Sequence, residues 1–158
     1  ADGNDALTYQ TFLTWRGFLD REPPRRPDPV PPAAPPSFRM VDWKYGFQGS
    51  RDRDSGAIHL PPQRVSVKGG NVDDMEMVPM ADVQAKVTTF TIDRLAYSLS
   101  PPTVGVIIDF DGGGRFKAEL TDAEPDEVAV GMRVKMTFRR LMTADGVHNY
   151  FWKATPVR

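Results

Sequence analysis

Thr103-Val104-Gly105-Val106-Ile107-Ile108-Asp109-Phe110-Asp111-Gly112-Gly113-Gly114-Arg115-Phe116-Lys117-Ala118-Glu119-Leu120 reads as two β-strands and the turn that joins them. Apolar residues fill 103–110, a shorter strand fills 115–120, and an aspartate followed by three glycines supplies the positive-φ residues that a tight hairpin requires. Working outward, residues 83–95 form a long strand with Val87, Phe90 and Ile92 as its apolar positions. Residues 121–131 make a short helical or irregular crossing. Residues 132–141 alternate, with Val134, Met136 and Phe138 inward and Arg133, Lys135, Thr137 and Arg139 outward. A turn at Thr143-Ala144-Asp145-Gly146 leads into a last strand over residues 148–157. Five strands with a short helix between the third and fourth is the order of an OB-type barrel. Closure removes the exposed edges that so short a sheet would otherwise carry. The fold class is therefore mainly β, with the barrel expected over residues 75–158 and able to melt cooperatively from a start near Met75.

Upstream the pattern weakens. Residues 6–21 predict an amphipathic helix, with Tyr9, Phe12, Leu13 and Leu19 at helical spacing and Trp15 and Phe18 widening the stripe. Asn4 or Asp5 is positioned to cap it. One short helix cannot bury so many aromatics by itself, so residues 1–21 are expected to dock on a partner. Residues 22–40 form a Pro-rich linker, which predicts polyproline II over residues 22–37. Residues 41–74 lack periodicity, with two short strands expected around residues 57–60 and 64–67.

The chain has 158 residues, 40% hydrophobic content, a formal charge of −1 and no cysteine. That balance excludes a polybasic nucleic-acid arm. The lack of cysteine excludes disulfides, thiolate nucleophiles and cysteine metal sites. The longest apolar run, residues 103–108, is far short of a membrane span. With no export signal in Ala1-Asp2-Gly3-Asn4-Asp5, the cytoplasm is the expected compartment. Only two histidines occur, His59 and His148, in different predicted strands, so neither a zinc site nor a nucleophile–histidine pair is supported. Asp109-Phe110-Asp111-Gly112-Gly113-Gly114 lacks the remaining ligands of a calcium loop and reads better as a hairpin turn. Arg133, Lys135 and Arg139 suit a groove for single-stranded nucleic acid, but Glu119, Asp122, Glu124, Asp126 and Glu127 lie close by in sequence.

The stretch Gly56-Ala57-Ile58-His59-Leu60-Pro61-Pro62-Gln63-Arg64-Val65 resembles the thiolase-associated proteins that join a zinc ribbon to an OB fold, a family long filed as a domain of unknown function. The likeness continues through Phe90-Thr91, Pro101-Pro102, residues 106–109, Gly113-Gly114-Arg115, Gly131 with Val134, and Phe138-Arg139. It covers residues 47–157. Matching on Pro61-Pro62 places the family's four zinc cysteines at Asp52, Ser55, Ser66 and Gly69. The resemblance thus implies a degenerate, metal-free ribbon with no zinc, held by the barrel or by another protein. Gly3-Asn4-Asp5-Ala6-Leu7, with the aromatic helix and Pro-rich tail, resembles the extreme C-terminus of thiolase-fold condensing enzymes, the hydroxymethylglutaryl-CoA synthase-like branch in particular.

These likenesses imply a non-catalytic accessory domain in acyl-CoA and lipid metabolism. Its partner would be a thiolase-like condensing enzyme subunit, or the missing remainder of one. Implied acyl-CoA contacts are Arg64 and Lys68 for the phosphates, Phe90, Tyr97 and Phe110 along an acyl or pantetheine path, and Arg115. Partner contacts are Tyr9, Phe12, Trp15, Phe18 and Leu19. An independent OB module that binds single-stranded nucleic acid is the alternative from a different class, and neither reading includes a membrane or a covalent cofactor.

Overall fold

The computed structural model describes residues 9–18, 30–95, 98 and 100–158. It divides into two compact units, Ala1–Val30 and Pro31–Arg158. In the first, the helix α1 (Tyr9–Trp15) ends before the expected Arg21, while residues 6–8 of the expected helix lie outside the described residues. Gly17 takes a left-handed φ of +75°. The Phe18 amide then donates to the Leu13 carbonyl at 2.9 Å and the Gly17 amide to Thr14 at 3.0 Å. This is a Schellman stop, which glycine permits at no steric cost. Phe18 therefore lies beyond the helix rather than on it.

The second unit opens with α2 (Ala34–Arg39) and α3 (Val41–Lys44). Residues 34–37 are thus helical, not polyproline II. Pro35 and Pro36 occupy the first turn, where an amide hydrogen has no intrahelical partner anyway and φ near −65° already suits a helix. A three-stranded antiparallel ribbon follows, in the order β2 (Ile58–His59), β1 (Gln48–Asp52), β3 (Met75–Pro79). The strand expected at residues 64–67 is instead a loop. It is pinned by a single bridge between Val65 and Val72 and turns through Gly69 and Gly70 at φ +77° and +71°.

The barrel consists of β4 (Ala85–Asp93), β5 (Thr103–Phe110), β6 (Arg115–Leu120), β7 (Arg133–Ala144) and β8 (Val147–Pro156), closed in the order β4-β5-β6-β8-β7. A single 3₁₀ turn, Pro125–Glu127, crosses between β6 and β7. The barrel thus begins at Ala85, not at Met75. All five residues of β3 pair with β1, from Gln48↔Pro79 to Asp52↔Met75, which places that strand in the ribbon. The β7–β8 turn is made by Asp145 and Gly146, both at positive φ, as a two-residue hairpin demands.

Val87, Val104, Val106, Ile108, Phe110, Leu120, Val134 and Met136 fill the barrel interior. Phe138 was expected inward but is 40% exposed. At that point the long β7–β8 hairpin carries its own aromatic face. Phe138 stacks on Tyr150 at 5.5 Å and meets Tyr45 edge-on at 6.1 Å.

Two contacts fix the ribbon to the barrel. Phe47, fully buried at φ +47°, packs against Trp43, Phe110, Phe116 and Trp152 with ring centroids 5.2–6.0 Å away. Left-handed backbone is costly for a phenylalanine and persists only where surrounding contacts over-determine it. On the other side, Gly114 sits at φ +96°, and a Cβ there would lie 3.1 Å from Ile58 Cγ2 and 3.3 Å from Leu60 Cδ1. The glycine serves both the hairpin turn and the close approach of the ribbon. Among the described residues, no helix is long and apolar enough to cross a membrane.

Candidate functional site

The residues implied as acyl-CoA contacts do not converge. Arg64 clasps Asp73 through two parallel bonds of 2.5 and 2.6 Å. It lines a groove with Ser50, Pro62, Gln63, Met75 and Met77. Lys68 is exposed on the loop that follows. Phe90 lines a different groove, on the barrel, with Thr89, Thr91, Gly105, Ile107 and Lys117. Phe110 is 4% exposed and packs on Phe47, so its ring belongs to the core. Arg115 makes a bidentate pair with Asp109 at 2.6 and 2.8 Å. Each paired guanidinium holds its carboxylate partner, Asp73 or Asp109, below the ordinary carboxylate range through these hydrogen bonds. Tyr97 lies outside the described residues, as does Leu19.

Of the outward strand cations, Arg133 and Arg139 are likewise committed, whereas Lys135 is exposed. Arg133 bonds Asp111 at 2.8 Å and Gln84 at 2.9 Å. Arg139 bonds Asp122 at 2.6 Å, and Lys153 reaches Glu119 at 2.5 Å. A cation already sharing its hydrogen bonds with a carboxylate contributes little field to an incoming phosphate.

The aromatic residues of the first unit are uncovered along α1 and its stop: Tyr9 is 74% exposed, Phe12 50%, Trp15 69% and Phe18 71%. Tyr9 and Phe12 stack at 6.3 Å, one turn apart, as the helical period dictates.

Three of the four matched zinc positions do converge. Asp52, at the end of β1, is fully buried. Its carboxylate accepts from the Ser55 hydroxyl, from the Asp54 amide at 3.1 Å and from Asn71 Nδ2 at 2.9 Å. The Ser66 hydroxyl bonds it as well. Those bonds, Ser55 first, then Ser66 and Asn71, outweigh desolvation and hold the carboxyl well below its ordinary range. Nearby, His59 is buried with Nε2 accepting from the Val67 amide at 3.1 Å and Nδ1 3.3 Å from the Ser50 carbonyl. The family resemblance, matched on Pro61-Pro62, pointed to this knuckle, whereas Asn71 carried no signal in the sequence.

Sequence reasoning also missed a groove formed by α2, α3 and the ribbon. It is lined by Arg39, Met40, Asp42, Trp43, Pro61, Pro62 and Met77, sharing Pro62 and Met77 with the Arg64 groove. Its aromatic member, Trp43, packs across 72 residues of intervening chain onto Phe116, a contact that no local period can announce.

Residues 77–139 match the family model described as the ChsH2 C-terminal OB-fold domain. A DUF35 domain-containing scaffold protein of Methanocaldococcus jannaschii is 27% identical over 126 residues, spanning 77% of this chain and 89% of the relative. A protein of the same description from Methanothermobacter thermautotrophicus is 22% identical over 125 residues, spanning 76% and 93%. Among solved structures, a chain of an Ltp2-ChsH2(DUF35) aldolase aligns with a TM-score of 0.59 at 16% identity, covering 83% of this chain and 98% of that one, a likeness of fold. In sequence and in fold the chain is thus similar to DUF35 proteins, and none of the four positions matched to zinc ligands holds a cysteine.

Proposed function

We propose that this protein is a non-catalytic accessory domain that docks on a thiolase-fold acyl-CoA enzyme, with α1 supplying the anchors. The observation that carries the reading is the uncovered aromatic face of α1. Aromatics are the residues most often found as interface hot spots, and apolar faces of this kind mark interaction sites. The relatives called scaffold proteins support the accessory role. So does the fold shared with a chain of an Ltp2-ChsH2(DUF35) aldolase. Among the described residues, no group of three or more acidic or histidine side chains gathers to hold a metal, and the hydroxyl–histidine contact of Thr143 with His148, at 2.8 Å, lies exposed at the β7–β8 turn outside both grooves of the ribbon. Catalysis on this reading belongs to the partner. Arg64 and Lys68 are the contacts offered to the CoA phosphates, with Arg64 exchanging Asp73 for phosphate on binding.

The test is co-purification of the full chain from its native source, with mass identification of what accompanies it. A thiolase-fold enzyme should co-elute. Phe12→Ala or Trp15→Ala should weaken the pairing by about thirtyfold, the equivalent of about 2 kcal/mol. A monomer that binds no such enzyme, or pairing indifferent to both substitutions, would overturn the reading.

A second reading rests on the Phe138–Tyr150 stack beside Tyr45, because stacked, part-exposed aromatics on an OB barrel suit the bases of single-stranded nucleic acid. Binding of a labelled oligonucleotide that weakens steeply with salt and is lost in Tyr150→Ala would favour it.

A further inference from the structure

We infer that the Asp52 carboxylate occupies the structural role of the zinc ion that the family's ribbon implies, cross-linking the two halves of the knuckle through hydrogen bonds instead of metal–sulfur bonds.

A four-cysteine ribbon is tied by one metal that takes a pair of ligands from each of two loops. Here the first loop supplies Asp52 and Ser55, and the second supplies Ser66 and Gly69. Three of those four positions meet: Ser55 and Ser66 both bond the Asp52 carboxylate. Gly69 has no side chain, and Asn71, two residues on, provides the remaining strut at 2.9 Å. The carboxylate therefore holds one loop through Ser55 and the Asp54 amide, and the other through Ser66 and Asn71.

This arrangement does not fit zinc. A cation needs lone pairs converging on an empty point, whereas here O–H and N–H groups aim their positive ends at a central anion. His59 is no substitute ligand, since its Nε2 lone pair already accepts from Val67. The remaining polar groups around the anion are paired too. The Ser66 hydroxyl accepts from the Lys68 amide at 3.1 Å, and among the described residues no buried side-chain nitrogen or oxygen lacks a partner. A buried charge is tolerated only when so satisfied. The knuckle is consequently complete within itself and needs neither metal nor a covering protein.

Thermal melting and amide hydrogen exchange of the full chain test this. The wild-type midpoint should not move on adding a strong chelator or zinc. Asp52→Asn should speed exchange at the Gly56, Ser66 and Asp73 amides at least about tenfold, an effect zinc cannot reverse, while the Val87 and Gly131 amides of the barrel exchange as before. If Asp52→Asn prevents folding, Ser66→Ala and Asn71→Ala must show the same local acceleration. A chelator-sensitive wild-type midpoint, retention of one equivalent of zinc, or knuckle exchange unchanged in these variants would each overturn the inference.

Discussion

The barrel and the ribbon are stabilised by opposite means. In the barrel, alternating valines, isoleucines and leucines bury apolar surface on a closed sheet, and each contributes in proportion to area removed from water. In the ribbon the strands are short, and its interior is polar: Ser50, Asp52, His59 and Ser66 are four of the five buried polar residues among those described. An apolar core tolerates substitutions that keep its volume, whereas a hydrogen-bonded interior fails where one partner is removed, because the other is left buried and unsatisfied. Phe47 and Gly114 are where the two regimes meet.

Cutting the chain between the two regions should have the largest effect. A chain beginning at Met75 retains every barrel strand but leaves β3 without β1 and the barrel without the Phe47 ring. We expect it to lose the sharp, two-state urea transition that a chain of residues 31–158 should show by circular dichroism. A cooperative transition of equal midpoint in both would establish the barrel as independent. Next in size is Phe47→Ala in the full chain, which empties a fully buried site touched by four rings. A loss of about 3–5 kcal/mol is expected from the shift in urea midpoint, with barrel and ribbon probes moving together. Separate movement would mean that the regions unfold independently.

Gly114→Ala should cost about 2 kcal/mol, combining left-handed backbone with a Cβ pressed on Ile58. Gly114→Ala should cost less in an Ile58→Ala background than in the wild type, since that change removes the Cγ2 being met. The smallest effect is the acid dependence of Asp52. Its folded pKa lies below the unfolded value of about 3.9. Its stabilisation is therefore fully present above that value and is lost as pH falls through the folded pKa. Asp73, Asp109 and Asp111 are depressed likewise by Arg64, Arg115 and Arg133. In Asp52→Asn the fall in midpoint below about pH 4 should accordingly be shallower than in wild type, though not abolished. An identical acid slope would assign the wild-type dependence to the three exposed pairs alone.

The same contrast explains what could be read from residues. The β5 and β6 bounds, the Asp111–Gly114 turn and the inward Val134 and Met136 follow from period-two burial, a local signal. The position of β3 did not, because Met75–Pro79 suits either sheet and its partner β1 lies some 25 residues earlier. The stop at Gly17 was legible as a glycine after an apolar run, yet the aromatic stripe through Phe18 obscured it. Of the site, the knuckle positions came from the family resemblance matched on Pro61-Pro62, but the exchange of metal for a buried anion needed coordinates. Phe138 shows the converse: its alternation is correct, but at that height the barrel has ended and inward no longer means buried.

A protein without a single thiol has a particular relation to its surroundings. Peroxide attacks a zinc-thiolate knuckle at sulfur and releases the metal, but a carboxylate ringed by hydroxyl and amide groups presents no sulfur to oxidise. The nearest sulfur atoms in the ribbon are the thioethers of Met75 and Met77, on the strand beside the Asp52 strand. Oxidative damage to this region would then register as roughening of its Met77 groove, with the loop geometry at Asp52 left standing.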